Sequence, residues 1–163
     1  MSKNIVLIGM PGAGKTTIGK MLQDRLNLRF IDMDEFIVEE SGKTIQELFD
    51  VSESHFRDVE GMAVKKLSME NSSIIATGGG VIKNQANIEE LKKLGIIVFI
   101  DRPLENIAGD VELATRPLLK EGVQKLYDLY EERYEIYKNC CDFYVLNYGK
   151  INDVVEKIIE KIK

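Results

Sequence analysis

Apolar residues along this chain switch repeatedly between short unbroken runs and helical spacing. Ile5-Val6-Leu7-Ile8 is an apolar run that ends at Gly9, the pattern of a strand buried on both faces. Helical spacing follows from about Lys15 to Leu26, with Ile18, Met21, Leu22 and Leu26 on one stripe. Arg29-Phe30-Ile31-Asp32 reads as a second strand with a charged end. Thr44 and Glu47 form a capping-box pattern ahead of Ile45, Leu48 and Phe49, so a short helix starts there. A longer helix runs from about Ser52 to Met69, with Phe56, Val59, Ala63 and Leu67 at helical spacing. Ser73 to Thr77 holds a third strand that runs into Gly78-Gly79-Gly80. Asn87 to Leu94 is helical and stops at Gly95, read as a C-terminal helix glycine. Ile96 to Ile100 is the clearest strand of all, and Pro103 suits the first turn of a further helix. From Gly109 to Gly122 the pattern weakens, which predicts a loop with helical pieces. A long helix from about Val123 to Asn139, a strand from Phe143 to Leu146 and a closing helix striped by Ile151, Val154, Val155, Ile158, Ile159 and Ile162 complete the order.

Strands alternating with helices predict an α/β fold, a parallel sheet flanked by helices on both faces. The 163 residues contain no internal repeat and no Pro- or Ser-rich linker, so one domain is expected over residues 1–163. Net charge is −5, which disfavours a general surface for nucleic acid or anionic membrane, so neither is expected as a partner. Any anionic ligand must then be met by a few cations gathered at one site. Cys140 and Cys141 are adjacent, and neighbours bridge only with strain, so reduced thiols are expected. The longest apolar run, Ile96–Ile100, is far too short to span a bilayer. Met1-Ser2-Lys3 precedes an apolar stretch that Gly9, Pro11 and Gly12 interrupt, so it reads as an opening strand rather than a leader. These features predict a cytoplasmic protein.

The most informative stretch is Gly9-Met10-Pro11-Gly12-Ala13-Gly14-Lys15-Thr16, a full G-x-x-x-x-G-K-[ST] between a buried strand and a helix. Its glycines let successive N–H groups turn toward a phosphate, and the following helix adds its positive end. Gly12, Ala13, Gly14, Lys15, Thr16 and Thr17 are therefore candidate nucleotide-binding residues. Lys15 is placed for β- and γ-phosphate oxygens and Thr16 for Mg²⁺. A GTP switch should also show N-K-x-D, but Asn139-Cys140-Cys141-Asp142 lacks the lysine. Asp58-Val59-Glu60-Gly61 matches D-x-x-G within a helical pattern and is read as coincidence. A kinase of small metabolites or nucleotides remains.

Four clusters suggest its acceptor site. Asp32-Met33-Asp34 places two carboxylates at a strand's C-terminal end, one for hydrated Mg²⁺ and one to accept a hydroxyl proton, unless they merely cap a helix. Arg57 and Glu60 lie three apart beside Phe56; a solvated ion pair is the plain alternative to an arginine presented to a substrate carboxylate. Gly78-Gly79-Gly80 offers either a sharp turn or close ligand approach. Arg116, in the poorly patterned segment, suits a closing lid, and Arg133 lies among Tyr130, Tyr134 and Tyr137.

In combination these marks resemble the shikimate kinase family, of the nucleoside-monophosphate-kinase-like branch of P-loop proteins. The marks are Asp32-Met33-Asp34, Ser52 through Glu60, Thr77-Gly78-Gly79-Gly80-Val81, Arg116-Pro117-Leu118-Leu119, and Glu132-Arg133 through Tyr137. The resemblance covers nearly the whole chain. It implies a five-stranded parallel sheet in the order 2-3-1-4-5, a lid over about residues 109–122 and a substrate-binding helical region over about 33–60. It also implies the reaction ATP plus shikimate to ADP plus shikimate 3-phosphate, with Mg²⁺, in aromatic amino-acid biosynthesis. By motif, Asp34 would bind the acceptor hydroxyls and act as base or orienter, and Lys15 and Arg116 would bind the nucleotide phosphates and stabilise the transferring phosphoryl. Arg57 and Arg133 would hold the shikimate carboxylate, Gly78, Gly79 and Gly80 would line its ring, and Thr16 and Asp32 would serve the metal. A monomer is expected. One departure stands out: members often carry a second cation before the lid arginine, whereas Gly109-Asp110-Val111-Glu112 is acidic. Another small-metabolite kinase, such as gluconate kinase, and a non-catalytic nucleotide-binding module are the alternatives.

Overall fold

The structure, a computed structural model, describes residues 3–114 and 119–163. Strands β1 (Asn4–Ile8), β2 (Arg29–Asp32), β3 (Ser73–Ala76), β4 (Gly95–Asp101) and β5 (Phe143–Leu146) form one sheet in the order β2-β3-β1-β4-β5. Every pairing is parallel. The strand order that the resemblance implied is the one observed. The helices are α1 (Lys15–Leu26), α2 (Met33–Ser41), α3 (Ile45–Val51), α4 (Glu53–Leu67), α5 (Gln85–Leu94), α6 (Leu104–Ala114), α7 (Leu119–Cys140) and α8 (Ile151–Ile162).

The apolar run of β1 explains the layering. Alternate side chains of a strand point to opposite faces. Ile5 and Leu7 pack with Ile18 and Leu22 of α1 and Val154, Val155 and Ile158 of α8. Val6 and Ile8 pack on the other face with Phe56 and Val64 of α4, Leu91 of α5 and Tyr137 of α7. Each fully buried aliphatic side chain contributes roughly 1.5–3 kcal/mol, so the buried stripe of α8 alone explains why this helix closes on the sheet.

Several boundaries depart from the pattern. Met33–Ser41 is a helix that begins directly at the end of β2, because Asp32 Oδ1 accepts from the Glu35 N–H and caps it. Where a loop with helical pieces was expected, the described residues are helical: α6 continues to Ala114 and α7 starts at Leu119. Gly95 is not a left-handed helix cap. Its backbone is extended (φ 175°), it opens β4, and a Cβ there would lie 2.0 Å from the Asn4 carbonyl oxygen. Glycine is needed for a close approach between two strands rather than for a turn.

Candidate active site

The loop between β1 and α1 is shaped by left-handed glycines and by side chains that hold its carbonyls. Gly12 and Gly14 have φ of 83° and 101°, and a Cβ on Gly14 would also meet Asn147 Nδ2 at 2.8 Å. Arg102 Nη1 donates to the Gly12 carbonyl at 2.9 Å, and Asn147 Nδ2 donates to that of Ala13 at 2.7 Å. Lys15 Nζ donates to the Gly9 and Met10 carbonyls. Gly14 caps α1 without a side-chain acceptor, so the first turn of the helix offers its N–H groups to the cleft. Gly12, Ala13, Gly14, Lys15, Thr16 and Thr17 all line a cavity of about 510 Å³, together with Asp32, Asp34, Gly78 and Gly79. Burial among protein atoms pushes the Lys15 ammonium down to about 8, against the pull of Asp34 and Asp32.

The two carboxylates after β2 have separate tasks. Asp32 has one oxygen on the helix cap, and its Oδ2 accepts from Thr16 Oγ1 at 3.2 Å. Asp32 thus caps α2 and also lines the cavity. Two hard oxygen donors side by side at the mouth of a phosphate loop fit Mg²⁺, which prefers one or two protein oxygens plus phosphate and water over an all-protein cage. Asp34 lies two residues further along, in the first turn of α2, and lines the cavity. Its carboxyl is raised above the ordinary range, first by desolvation and then by the neighbouring Asp32 charge, while Lys15 and Arg57 oppose the rise.

A second cavity of about 470 Å³ adjoins the first and shares Pro11, Asp34, Gly78 and Gly79 with it. Here the side chains do the shaping. Arg57 Nη1 donates to Glu60 Oε1 at 2.9 Å, and its guanidinium lies 5.1 Å from the Phe56 ring centre, which is itself stacked on Phe49 at 4.2 Å. Glu60 is 1% exposed, so the pair is no solvated surface bridge. Burial raises the Glu60 carboxyl, with its hydrogen bond to Arg57 opposing. Arg133 is also buried, on α7, contrary to ordinary surface packing. Among the described residues, the Nε atoms of Arg57 and Arg133 are buried without a hydrogen-bond partner. Such orphaned donors beside a cavity are what an anionic ligand would satisfy.

The three glycines after β3 form the floor, and each makes room for a site residue. A Cβ on Gly78 would lie 3.1 Å from Asp34 Oδ1. On Gly79 it would lie 2.9 Å from Pro11 Cδ and 3.3 Å from Arg133 Nη1. On Gly80 it would lie 2.4 Å from the Arg57 guanidinium nitrogens. Gly78, Gly79 and Gly80 are absent from the positive-φ glycines, so side-chain approach rather than a sharp turn calls for them. Tyr137, fully buried, donates its hydroxyl to the Gly79 carbonyl at 2.5 Å. Burial pushes that phenol up to about 12, which keeps it a donor.

Of the expected residues, Arg116 lies outside the described residues. Those placed by the structure fall along the two joined cavities. The D-x-x-G match lies within α4, and Asp142 of the N-x-x-D match accepts from the Ile97 N–H at 2.7 Å, a strand-end tie. Arg102 was not anticipated; Asn147 stood in the stretch after the last strand expected near adenine, and Pro11 and Tyr137 stood in marked stretches without a role of their own. Arg102 and Asn147 follow β4 and β5 at the carboxyl edge of the sheet, where ligands of open α/β sheets bind, and that position was the available signal. Tyr137 is one helical turn from Arg133, a spacing that puts both on one face.

A phosphate loop at the central strand of such a sheet, joined to a cavity of buried cations and a carboxylate, defines a P-loop kinase of small molecules. Comparison with known proteins narrows this. A family model described as shikimate kinase matches residues 11–163. A shikimate kinase of Clostridium beijerinckii is 49% identical over 162 residues, covering 99% of this chain and 96% of that protein. One of Persephonella marina is 35% identical and covers 99% of both chains. Among solved structures, shikimate kinase from Acinetobacter baumannii in complex with shikimate superposes with a TM-score of 0.90 at 35% identity, covering 99% of this chain and 93% of that one. Shikimate kinase from Aquifex aeolicus superposes at 0.84 with 34% identity, covering 98% of this chain and 95% of that one. The chain belongs to the shikimate kinase family.

Proposed function

We propose that this chain transfers the γ-phosphoryl group of ATP to the 3-hydroxyl of shikimate, releasing ADP and shikimate 3-phosphate, with the residue roles that follow. The observation that carries the reading is the junction of the two cavities at Asp34, Pro11, Gly78 and Gly79. One side offers backbone donors and Lys15 for phosphates; the other offers two arginines for a carboxylate. A donor phosphate and an acceptor hydroxyl held from opposite sides would meet beside Asp34. Phosphoryl transfer needs positioning and charge neutralisation more than covalent help.

Arg57 and Arg133 bind the shikimate carboxylate; the buried Nε of each lacks a hydrogen-bond partner, that of Arg57 lying 3.7 Å from Glu53 Oε1. Glu60 and the Phe56 face fix Arg57 before the ligand arrives, so little side-chain order is lost on binding. Asp34 accepts the proton of the acceptor hydroxyl as its oxygen attacks; the raised carboxyl brings its basicity nearer to that task. Lys15 leaves the Gly9 and Met10 carbonyls for the β- and γ-phosphate oxygens and follows the charge to the leaving group. Thr16 and Asp32 would hold Mg²⁺, which when bound neutralises phosphate charge. Arg116 and the segment around it serve as the lid on sequence grounds. The chain works as one domain, residues 1–163, as a monomer and in the cytoplasm. Support for that compartment comes from the free Cys140 and Cys141 thiols and from the finding that no helix among the described residues is long and apolar enough to cross a membrane.

The test is ADP release with ATP and Mg²⁺ across shikimate, gluconate and nucleoside monophosphates. Shikimate is expected to be preferred; preference for another acceptor would overturn the reading. Asp34→Asn is expected to lower kcat by about 10²–10⁴-fold with both KM values little changed.

A further inference from the structure

Arg102 follows the last residue of β4 and lines the phosphate cavity together with Lys15 and Asp110. Its Nη1 donates both to the Gly12 carbonyl at 2.9 Å and to Asp110 Oδ2 at 2.6 Å. The Arg102 side chain is 22% exposed, whereas that of Asp110 is 63% exposed. Next to Asp110, Gly109 leaves open space: a Cβ there would meet nothing within 4 Å. The guanidinium is therefore anchored on the loop by one bond and neutralised by a partner that water screens well.

These two bonds have different fates when a polyphosphate enters. The Gly12 carbonyl belongs to the loop that wraps the phosphate, so that bond is compatible with a bound nucleotide. The Asp110 carboxylate carries one charge and offers two oxygens to the guanidinium fork. A phosphate oxygen pair offers the same fork a partner of greater charge. An exposed ion pair contributes little, so its exchange is easy. With five N–H donors in a planar fork, Arg102 can keep Gly12 and still present an edge to the ligand.

We propose that Arg102 is a nucleotide-phosphate ligand held in reserve by Asp110. The incoming polyphosphate displaces the Asp110 carboxylate from the guanidinium, so Asp110 competes with ATP and sets its KM. This supplies a cation on the side of the loop where residues 109–112 bring none. The proposal rests on the nucleotide reading of the loop.

The test measures ATP titrations and steady-state kinetics for wild type, Arg102→Ala, Arg102→Gln, Asp110→Asn and the double variant R102A/D110N, each with its Tm. Arg102→Ala should raise KM for ATP about tenfold and leave KM for shikimate within about twofold. Asp110→Asn should lower KM for ATP about two- to fivefold, and this gain should vanish when Arg102 is absent. Arg102→Gln keeps an amide donor for the Gly12 carbonyl but loses the charge, so it should behave like the alanine variant. Wild-type KM for ATP in Arg102→Gln would show that Arg102 only props the loop and would overturn the proposal. An equal effect of Asp110→Asn with and without Arg102, or a raised KM, would overturn the exchange. Failure of the wild-type chain to bind ATP at all would instead sink the nucleotide reading itself.

Discussion

The two joined cavities are built by opposite means. On the nucleotide side backbone N–H groups do most of the work beside Lys15 and Arg102, and Arg102 and Asn147 also hold loop carbonyls. On the acceptor side the backbone withdraws to bare glycine, and Arg57, Glu60, Arg133 and Asp34 supply the contacts. A site built mainly on backbone depends first on the conformation of its loop. A side-chain site depends on a few guanidinium and carboxylate groups, and single substitutions there should separate one ligand from the other.

The sharpest way to break this contrast is Arg57→Ala. Loss of a charge-assisted pair should raise KM for shikimate about 10- to 100-fold while KM for ATP moves little. An equal rise for both ligands would show that the halves are coupled rather than separate. The next effect is one of pH, and it should touch the nucleotide side. Lys15 titrates at about 8 in the free protein, so below that pH it carries the charge that phosphates need. As pH rises through 8 the free protein loses this proton, and ATP binding must then take one up. Calorimetry at pH 8 in buffers of different ionisation enthalpy should show proton uptake, and affinity at pH 9 should be about tenfold weaker than at pH 7. Absence of uptake would place the Lys15 charge elsewhere. The smallest effect tests the glycine floor. Gly80→Ala puts a methyl against the Arg57 guanidinium that Glu60 and Phe56 hold, so KM for shikimate should rise about threefold to tenfold with a modest drop in Tm. A large drop in Tm would mean that Gly80 serves the fold rather than the guanidinium.

The same contrast explains what the sequence revealed. The phosphate loop is contiguous, so its residue types and their strand-to-helix setting could be read directly, and Gly12 through Thr17 lie where the motif predicted. The acceptor side is assembled from β2, α4, the turn after β3 and α7. Its members were visible as isolated marks, but their burial was not. A local pattern cannot show that Glu60 and Arg133 are enclosed, because the enclosing atoms come from distant segments. Family resemblance supplied the grouping that periodicity could not. Periodicity did not delimit helix α2, because Asp32 ends a strand and caps a helix at one position, leaving no intervening turn residue to mark the change. Gly95 ends α5 as expected, but its part in a close strand approach was not legible, because a helix stop and a close approach call for the same residue type.

The central position of β1 bears on how the chain is made. As synthesis begins at the N-terminus, β1 and the phosphate loop emerge early. Yet Ile5 pairs with Ile74 of β3 and with Ile96 of β4, and Asn147 after β5 holds the Ala13 carbonyl. The loop that binds nucleotide is thus among the first segments translated and among the last to be fully braced. A nascent chain that ends before β4 should expose an apolar strand short of its partners, and one shorter than residue 147 should still lack the brace on the phosphate loop, states in which chaperone protection matters more than ligand.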